Sequence, residues 1–200
     1  MDGGALPLRE GGRVMRLLLL AAAIAVLAGG CASAKPTIAP VEAVDLPRFM
    51  GDWYVIAHIP SWPEREAYDA VESYRLDADG RIRTTFRQRK GGFDAPVETM
   101  HPVGTVVDGS NNAVWGMQFV WPIQAEYVIV DLAPDYSRTI IGRSKRDYVW
   151  LMARTPRLPE VELKAALTRI KALGYDMTKL RMVPQSVRAA NADHKRSGGA

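Results

Sequence analysis

The sequence predicts an all-β fold: an eight-stranded antiparallel up-and-down barrel with one C-terminal helix packed against its outside. Three observations predict it. Eight short strand-like segments follow one another between Trp53 and Arg154, joined mostly by hairpin-length turn signals. A single helix pattern with one apolar face comes after the last of them. A chain of 200 residues with one cysteine has no internal disulfide, so its core alone must hold it.

The elements read in order as follows. Residues 53–59 form the first strand, and 70–76 the second, closed by the turn "DADG" at 77–80. Residues 81–88 pair back on it, and "RKGGFDAP" at 89–96 is a loop. The strand 100–107 runs to the turn "DGSNN", and 113–120 with 126–132 make a hairpin around Pro122. Segments 139–142 and 148–154 complete the eight. Pro159 then opens the helix, Glu160 and Glu162 sit in its positive first turn, and Gly174 ends it. Leu163, Ala166, Leu167, Ile170 and Leu173 fall on one face, a stripe that a closed barrel can bury only on its outer wall.

The flanks differ in kind. "LLLLAAAIAVLAGGC" at 17–31 follows Arg13 and Arg16, is too short to span a bilayer, and ends in small residues. This is a secretory signal, and its cysteine marks it as a bacterial lipoprotein signal: Cys31 becomes the acylated N-terminus after cleavage of 1–30, and translation starts at Met15. Ala32, not aspartate, follows Cys31, which favours the outer membrane, facing the periplasm. Residues 31–44 read as a tether and 185–200 as a disordered tail, leaving 45–184 as the barrel.

Of 26 Lys/Arg and 22 Asp/Glu, the first 30 residues hold three and two, which leaves a net charge of +3. That balance, without a concentrated basic stripe, gives no reason to expect nucleic acid. There is no Gly-x-Ser-x-Gly, no thiol remains after acylation, and the three histidines, His58, His101 and His194, lie far apart in sequence. No catalytic residue, metal ligand or cofactor site is assigned.

Three motifs carry a family resemblance. "FMGDWYVIAHIP" at 49–60 resembles the Gly-x-Trp signature on the first strand of lipocalins. "VDLAPDYSRTIIG" at 130–142 resembles their second motif, and "DYVWLMARTP" at 147–156 their third. The likeness is greatest to bacterial outer-membrane lipoprotein lipocalins and more distant to apolipoprotein D. "SWPEREAYDA" at 61–70 departs from the Phe-Glu-x-Gly-like segment of bacterial relatives, so the mouth of the barrel has its own shape. The resemblance implies a structural role for Gly51, Trp53 and Arg154, the arginine lying across the tryptophan to close the base.

It also implies a ligand cavity. Strand parity puts Trp115, Met117, Phe119, Tyr127, Ile129 and Trp150 on the inner face. Such a lining suits a fatty acid or a lysophospholipid, stored or transported in the cell envelope. Arg87, Arg89 and Lys90, with Arg143, Lys145 and Arg146, read either as a solvated rim or as a phosphate grip. Two alternatives stay open: an enzyme acting on an apolar substrate inside the barrel, and a filled barrel with a purely structural role. Monomer and homodimer also stay open.

Overall fold

The computed structural model describes residues 38–186. Ten strands run in chain order: β1 (Gly51–Ile59), β2 (Ala67–Leu76), β3 (Ile82–Lys90), β4 (Val97–Met100), β5 (Val103–Val106), β6 (Val114–Val120), β7 (Ile123–Leu132), β8 (Arg138–Gly142), β9 (Val149–Ala153) and β10 (Arg181–Met182). Two helices, α1 (Leu46–Phe49) and α2 (Glu160–Ala172), flank the set. The strands pair antiparallel in the order β10-β1-β2-β3-β5-β6-β7-β8-β9, with β4 also on β3, and β9 returns to β1 to close the sheet. β4 and β5 both pair with β3, so they are two halves of one barrel strand and the barrel has eight, as expected from sequence. Pro102, which has no N–H to give to the ladder, stands at the break; its carbonyl still accepts from Thr84 N at 3.1 Å.

Period-two alternation is clear on β3, where Ile82, Thr84, Phe86 and Gln88 are buried. It vanishes on β9, whose five residues are all buried. The reason is α2. Its Ala166 and Ile170 pack on Tyr54, Ile56, Ile140 and Leu151, which project from the outer faces of β1, β8 and β9. Those strands are therefore covered on both sides and carry apolar residues at both parities. Gly174, at φ +88°, turns the chain out of the helix while its N–H bonds to Lys171 O at 3.0 Å.

Both flanks are tied down further than the sequence suggests. Ile38 and Val44, expected in a tether, are buried, and Val41 N donates to Ile129 O at 2.8 Å. At the other end β1 and β2 pair only from Gly51 to Tyr54 and then separate. The C-terminal segment enters that gap: Val183 N donates to Ile56 O, Asp69 N to Pro184 O, and Gln185 Nε2 to Val55 O and Ala70 O. Gln185 and Ser186 thus belong to the fold and not to a disordered tail. Backbone groups bared by the separating strands need partners, and an apolar-period reading does not register such a need. The expected signal peptide with Cys31, the expected tether to residue 37 and the expected tail from 187 lie outside the described residues.

One end of the barrel is closed. Gly51 takes φ +95°, a left-handed conformation open to glycine, and so bends the chain from α1 into β1. Trp53 donates its indole N–H to Phe49 O at 2.8 Å, and the Arg154 guanidinium lies 3.8 Å above the Trp53 ring. Arg154 also donates to the carbonyls of Arg48, Phe49, Asp52 and Tyr136. Phe49, Trp53, Tyr74, Trp115 and Tyr127 pack above this seal as an aromatic plug.

Replacing Arg154 by Ala removes a cation–π contact and charge-assisted bonds to four carbonyls, and is expected to cost about 2–4 kcal/mol of stability. Arg154→Lys, with a point charge instead of a planar fork, should recover only part of it. Denaturant unfolding measures the loss. Ligand affinity should stay near wild type, since the base seal is remote from the open end; a fall in affinity without a fall in stability would make Arg154 a binding residue.

Candidate ligand cavity

Above the aromatic plug the barrel is hollow. The cavity, about 580 Å³ and open to solvent at the end opposite Arg154, falls within the ~300–1,000 Å³ typical of small-molecule sites. Its wall is mainly apolar: Phe86, Met100, Met117 and Ala125, with the rings of Tyr127 and Trp150. The mouth is ringed by exposed apolar groups, Trp62, Phe119, Trp121 and Ile123.

The polar groups on this wall include three carboxyls, Glu64, Glu72 and Glu126, together with His101 and Arg143. Trp62–Glu64 forms a 3-10 turn after β1, which folds the buried Glu64 side chain inward. There Glu64 accepts from Ser61 Oγ and from Trp150 Nε1, each at 2.7 Å. The buried His58 places Nδ1 3.5 Å from Glu64 Oε2. Glu72 projects from β2 into the same space and accepts from Tyr74, whose hydroxyl lies 2.7 Å from that of Tyr127. Burial, and secondly the neighbouring Glu64 charge, push the Glu72 carboxyl from an ordinary 4.5 up to about 8. Burial and the Glu72 charge also push the Tyr127 hydroxyl well above its usual value. Arg143, which shares the wall with His101, donates to Asp147 at 3.1 Å and lies over the Tyr148 ring, while its buried Nε has no acceptor. Among the described residues no group of three or more His, Cys, Asp or Glu is placed to hold a metal ion.

The family model of the lipocalin-like domain matches residues 44–185. The chain belongs to this family. Similar proteins include temperature-induced lipocalin-1 of Arabidopsis thaliana, 29% identical over 76% of this chain and 85% of that protein. Another is the outer membrane lipoprotein Blc of Vibrio cholerae, 28% identical over 80% and 94%. Apolipoprotein D of Macaca fascicularis is 26% identical over 86% and 96%. Among solved structures, apocrustacyanin C2 superposes with a TM-score of 0.58 at 13% identity, covering 76% of this chain and 86% of that one. Insecticyanin of Manduca sexta gives 0.57 at 18% identity, covering 76% and 87%. At such identities the structural likeness concerns the fold.

For this lipocalin the inner-face assignment divides by height. Met117, Phe119, Tyr127 and Trp150 line the cavity, Phe119 at the exposed mouth. Trp115 and Ile129 do not line it. They are fully buried in the core below, where Trp115 stacks on Tyr127 with ring centroids 4.9 Å apart. Parity assigns a face but not a level, and Phe49, carried in by α1, fills the lower barrel. The basic groups of the rim are largely engaged by their own chain: Arg89 with Ala95 O, Arg146 with Ser144 O and Leu173 O, Lys90 over Trp62.

Sequence reading missed Glu64, Glu72 and His58. Glu72 was accessible to it, because it shares parity with the inward Ala70 and Tyr74 on β2. Glu64 was not, since it belongs to the segment that departs from the bacterial pattern.

Glu72 makes stability depend on pH. Its folded value, about 8, exceeds the unfolded 4.5, so the folded state holds an extra proton between these values and stability falls as pH rises through that window. Glu72→Gln cannot ionise. It is expected to match wild type near pH 4.5 and to exceed it by about 1–3 kcal/mol at pH 9, after discounting for water in the cavity. Thermal unfolding at the two pH values checks this; equal pH dependence in both proteins would clear Glu72 as the cause.

Proposed function

We propose that this lipocalin is a lipid-anchored binding protein that holds a single-chain lipid, a fatty acid or a lysophospholipid, in its barrel for storage or transport in the cell envelope. The observation that carries this reading is the open, mainly apolar cavity of about 580 Å³ above a sealed base. One chain descends past Phe119 along Phe86 and Met117 toward the aromatic plug, with its head group nearer the mouth. The exposed aromatic and aliphatic groups at the rim offer the chain a low-cost passage to and from a membrane surface. The signal ending in Cys31 supports acylation there, and the bacterial relatives named outer membrane lipoproteins support the outer membrane as the site of anchoring, with the barrel in the periplasm. Three acyl chains on one residue hold firmly where one binds reversibly.

Each methylene buried contributes about 0.8 kcal/mol, or roughly fourfold in affinity. Titration with lysophospholipids of increasing chain length should therefore show affinity rising steeply and then levelling off once the chain fills the cavity. Met117→Trp, which occupies the lower cavity, should bring that plateau to shorter chains. Affinity independent of chain length would overturn the reading.

Cys31→Ser in the cells of origin should leave the protein unacylated and move it from the membrane pellet to the soluble fraction. Retention on membranes in high salt of a variant that is still cleaved ahead of residue 31 would exclude anchoring through Cys31.

A further inference from the structure

The two ends of the barrel differ in what they expose. Among the described residues eight large apolar side chains are exposed, and six of them stand at the open end: Trp62, Phe93, Val97, Phe119, Trp121 and Ile123. They belong to the β1–β2, β3–β4 and β6–β7 connections or to the strand ends beside them. Trp121 is 81% exposed, Ile123 71% and Trp62 69%. Apolar groups scattered singly over a surface call for no explanation, but a set gathered at one end marks a contact surface. Charge does not set this end apart, because the exposed charges of its loops, Arg65 and Lys145 against Glu66, Asp94 and Asp147, nearly cancel. The turns at the base, 77–80, 108–112 and 134–137, are polar and carry Asp77, Asp79, Asp108 and Asp135.

The chain enters the described structure at the same end. Ile38 lies against the outer wall beside Gly142, where a Cβ on that glycine would stand 3.2 Å from Ile38 Cδ1. Gly142 closes β8 directly ahead of the loop 143–148 at the mouth. From there the segment descends toward the base, Val41 bonding to Ile129 and Val44 to Asn111 in a base turn. Cys31 stands seven residues ahead of Ile38 in sequence. An extended chain spans at most ~3.6 Å per residue, so the reach from Ile38 to Cys31 is at most about 25 Å. An anchor at Cys31 therefore brings the open end to a membrane with slack to spare. Contact through the base would draw the tether out along most of the barrel's length.

We propose that the open end is a membrane-docking surface: Trp62, Phe119, Trp121 and Ile123 enter the interfacial layer of the bilayer that holds Cys31, and the cavity opens directly onto lipid. This rests on the reading that Cys31 carries the anchor. Tryptophan suits that layer, since its ring is apolar and its N–H finds an acceptor among the head groups. Lys90, 5.5 Å over the Trp62 ring, keeps its ammonium at the level of the phosphates as the ring goes in. Four side chains by themselves bind a bilayer weakly and reversibly. An acyl anchor on the same chain makes docking an intramolecular step at high effective concentration. Loss of the anchor therefore releases the protein although the docking surface is intact. A single-chain lipid then passes between bilayer and barrel without crossing water.

The test is tryptophan quenching of the protein as purified from its own membranes, added to preformed phosphatidylethanolamine–phosphatidylglycerol vesicles. The vesicles carry two-chain phosphatidylcholine brominated on its upper acyl carbons, and iodide in the surrounding water is the second quencher. Pelleting with the vesicles is read separately and reports the anchor. Wild type is expected to pellet, to be quenched strongly by bromine and to be shielded from iodide. Trp62→Phe with Trp121→Phe, which keeps the surface apolar, is expected to lose most of the bromine quenching, because Trp53, Trp115 and Trp150 are buried. Ile123→Asp, which leaves both reporters in place, is expected to pellet as before while its quenching passes from bromine to iodide. Wild type quenched by iodide and not by bromine has its mouth in water, and wild type shielded from both has a second copy over it. Either result overturns the docking surface while the anchor stands. Protein that does not pellet overturns both. The two quenchers on wild type decide the matter even if a substitution impairs folding.

Discussion

The guanidinium of Arg154, lying 3.8 Å over Trp53 and bonded to the carbonyls of Arg48, Phe49 and Asp52, ties the end of β9 to α1 and the start of β1. An up-and-down barrel has two ends, and each exposes an apolar interior unless something covers it. Here covering one end has required a charged group, because backbone carbonyls of α1 and β1 converge there and need strong donors. Partial burial lowers the Arg154 pKa to about 10, with the Asp52 charge opposing that shift, so the group remains charged at neutral pH. Once the base is sealed, Phe49 and the aromatic rings above it fill the lower barrel, and the void is confined to the upper half.

That arrangement determines the chemistry of the cavity. A void surrounded by strands has walls of low polarizability, in which an unpaired carboxyl is costly. Glu72 responds by holding its proton, and Glu64 by gathering donors from Ser61 and Trp150. Both groups hold their positions because the strands and the turn at Trp62–Glu64 fix their backbones. Polar groups of this kind contribute little to holding a barrel together.

The outer wall supplies stability that the hollow interior withholds. A barrel with a cavity forgoes part of the core a solid one would have. The packing of α2 on β1, β8 and β9 creates a second apolar cluster, from Tyr54 and Ile56 through Ile140 and Leu151 to Ala166 and Ile170. Residues 38–44 and 181–186 extend that support by covering edges and by filling the split between β1 and β2. Stability therefore resides outside and at the base.

Strand count, antiparallel order and the outer helix were legible in the sequence, because hairpin turns and apolar periodicity are local signals. So were Gly51, Trp53 and Arg154, which occur in short motifs. Inner-face parity was right for Met117, Tyr127 and Trp150, since alternation along a strand is also local. Height along the barrel was not legible: Trp115 and Ile129 share that parity yet lie in the floor, because α1, far away in sequence, brings Phe49 in above the seal. The ends of the fold escaped for the same reason, as Ile38 packs beside Gly142 and Gln185 bonds to Val55 and Ala70, each more than a hundred residues away. The sequence by itself determined which faces and which fold. Only the tertiary structure decided which of those side chains meet, and so that two carboxyls share one cavity, because burial and electrostatic repulsion belong to the space between strands and not to any one of them.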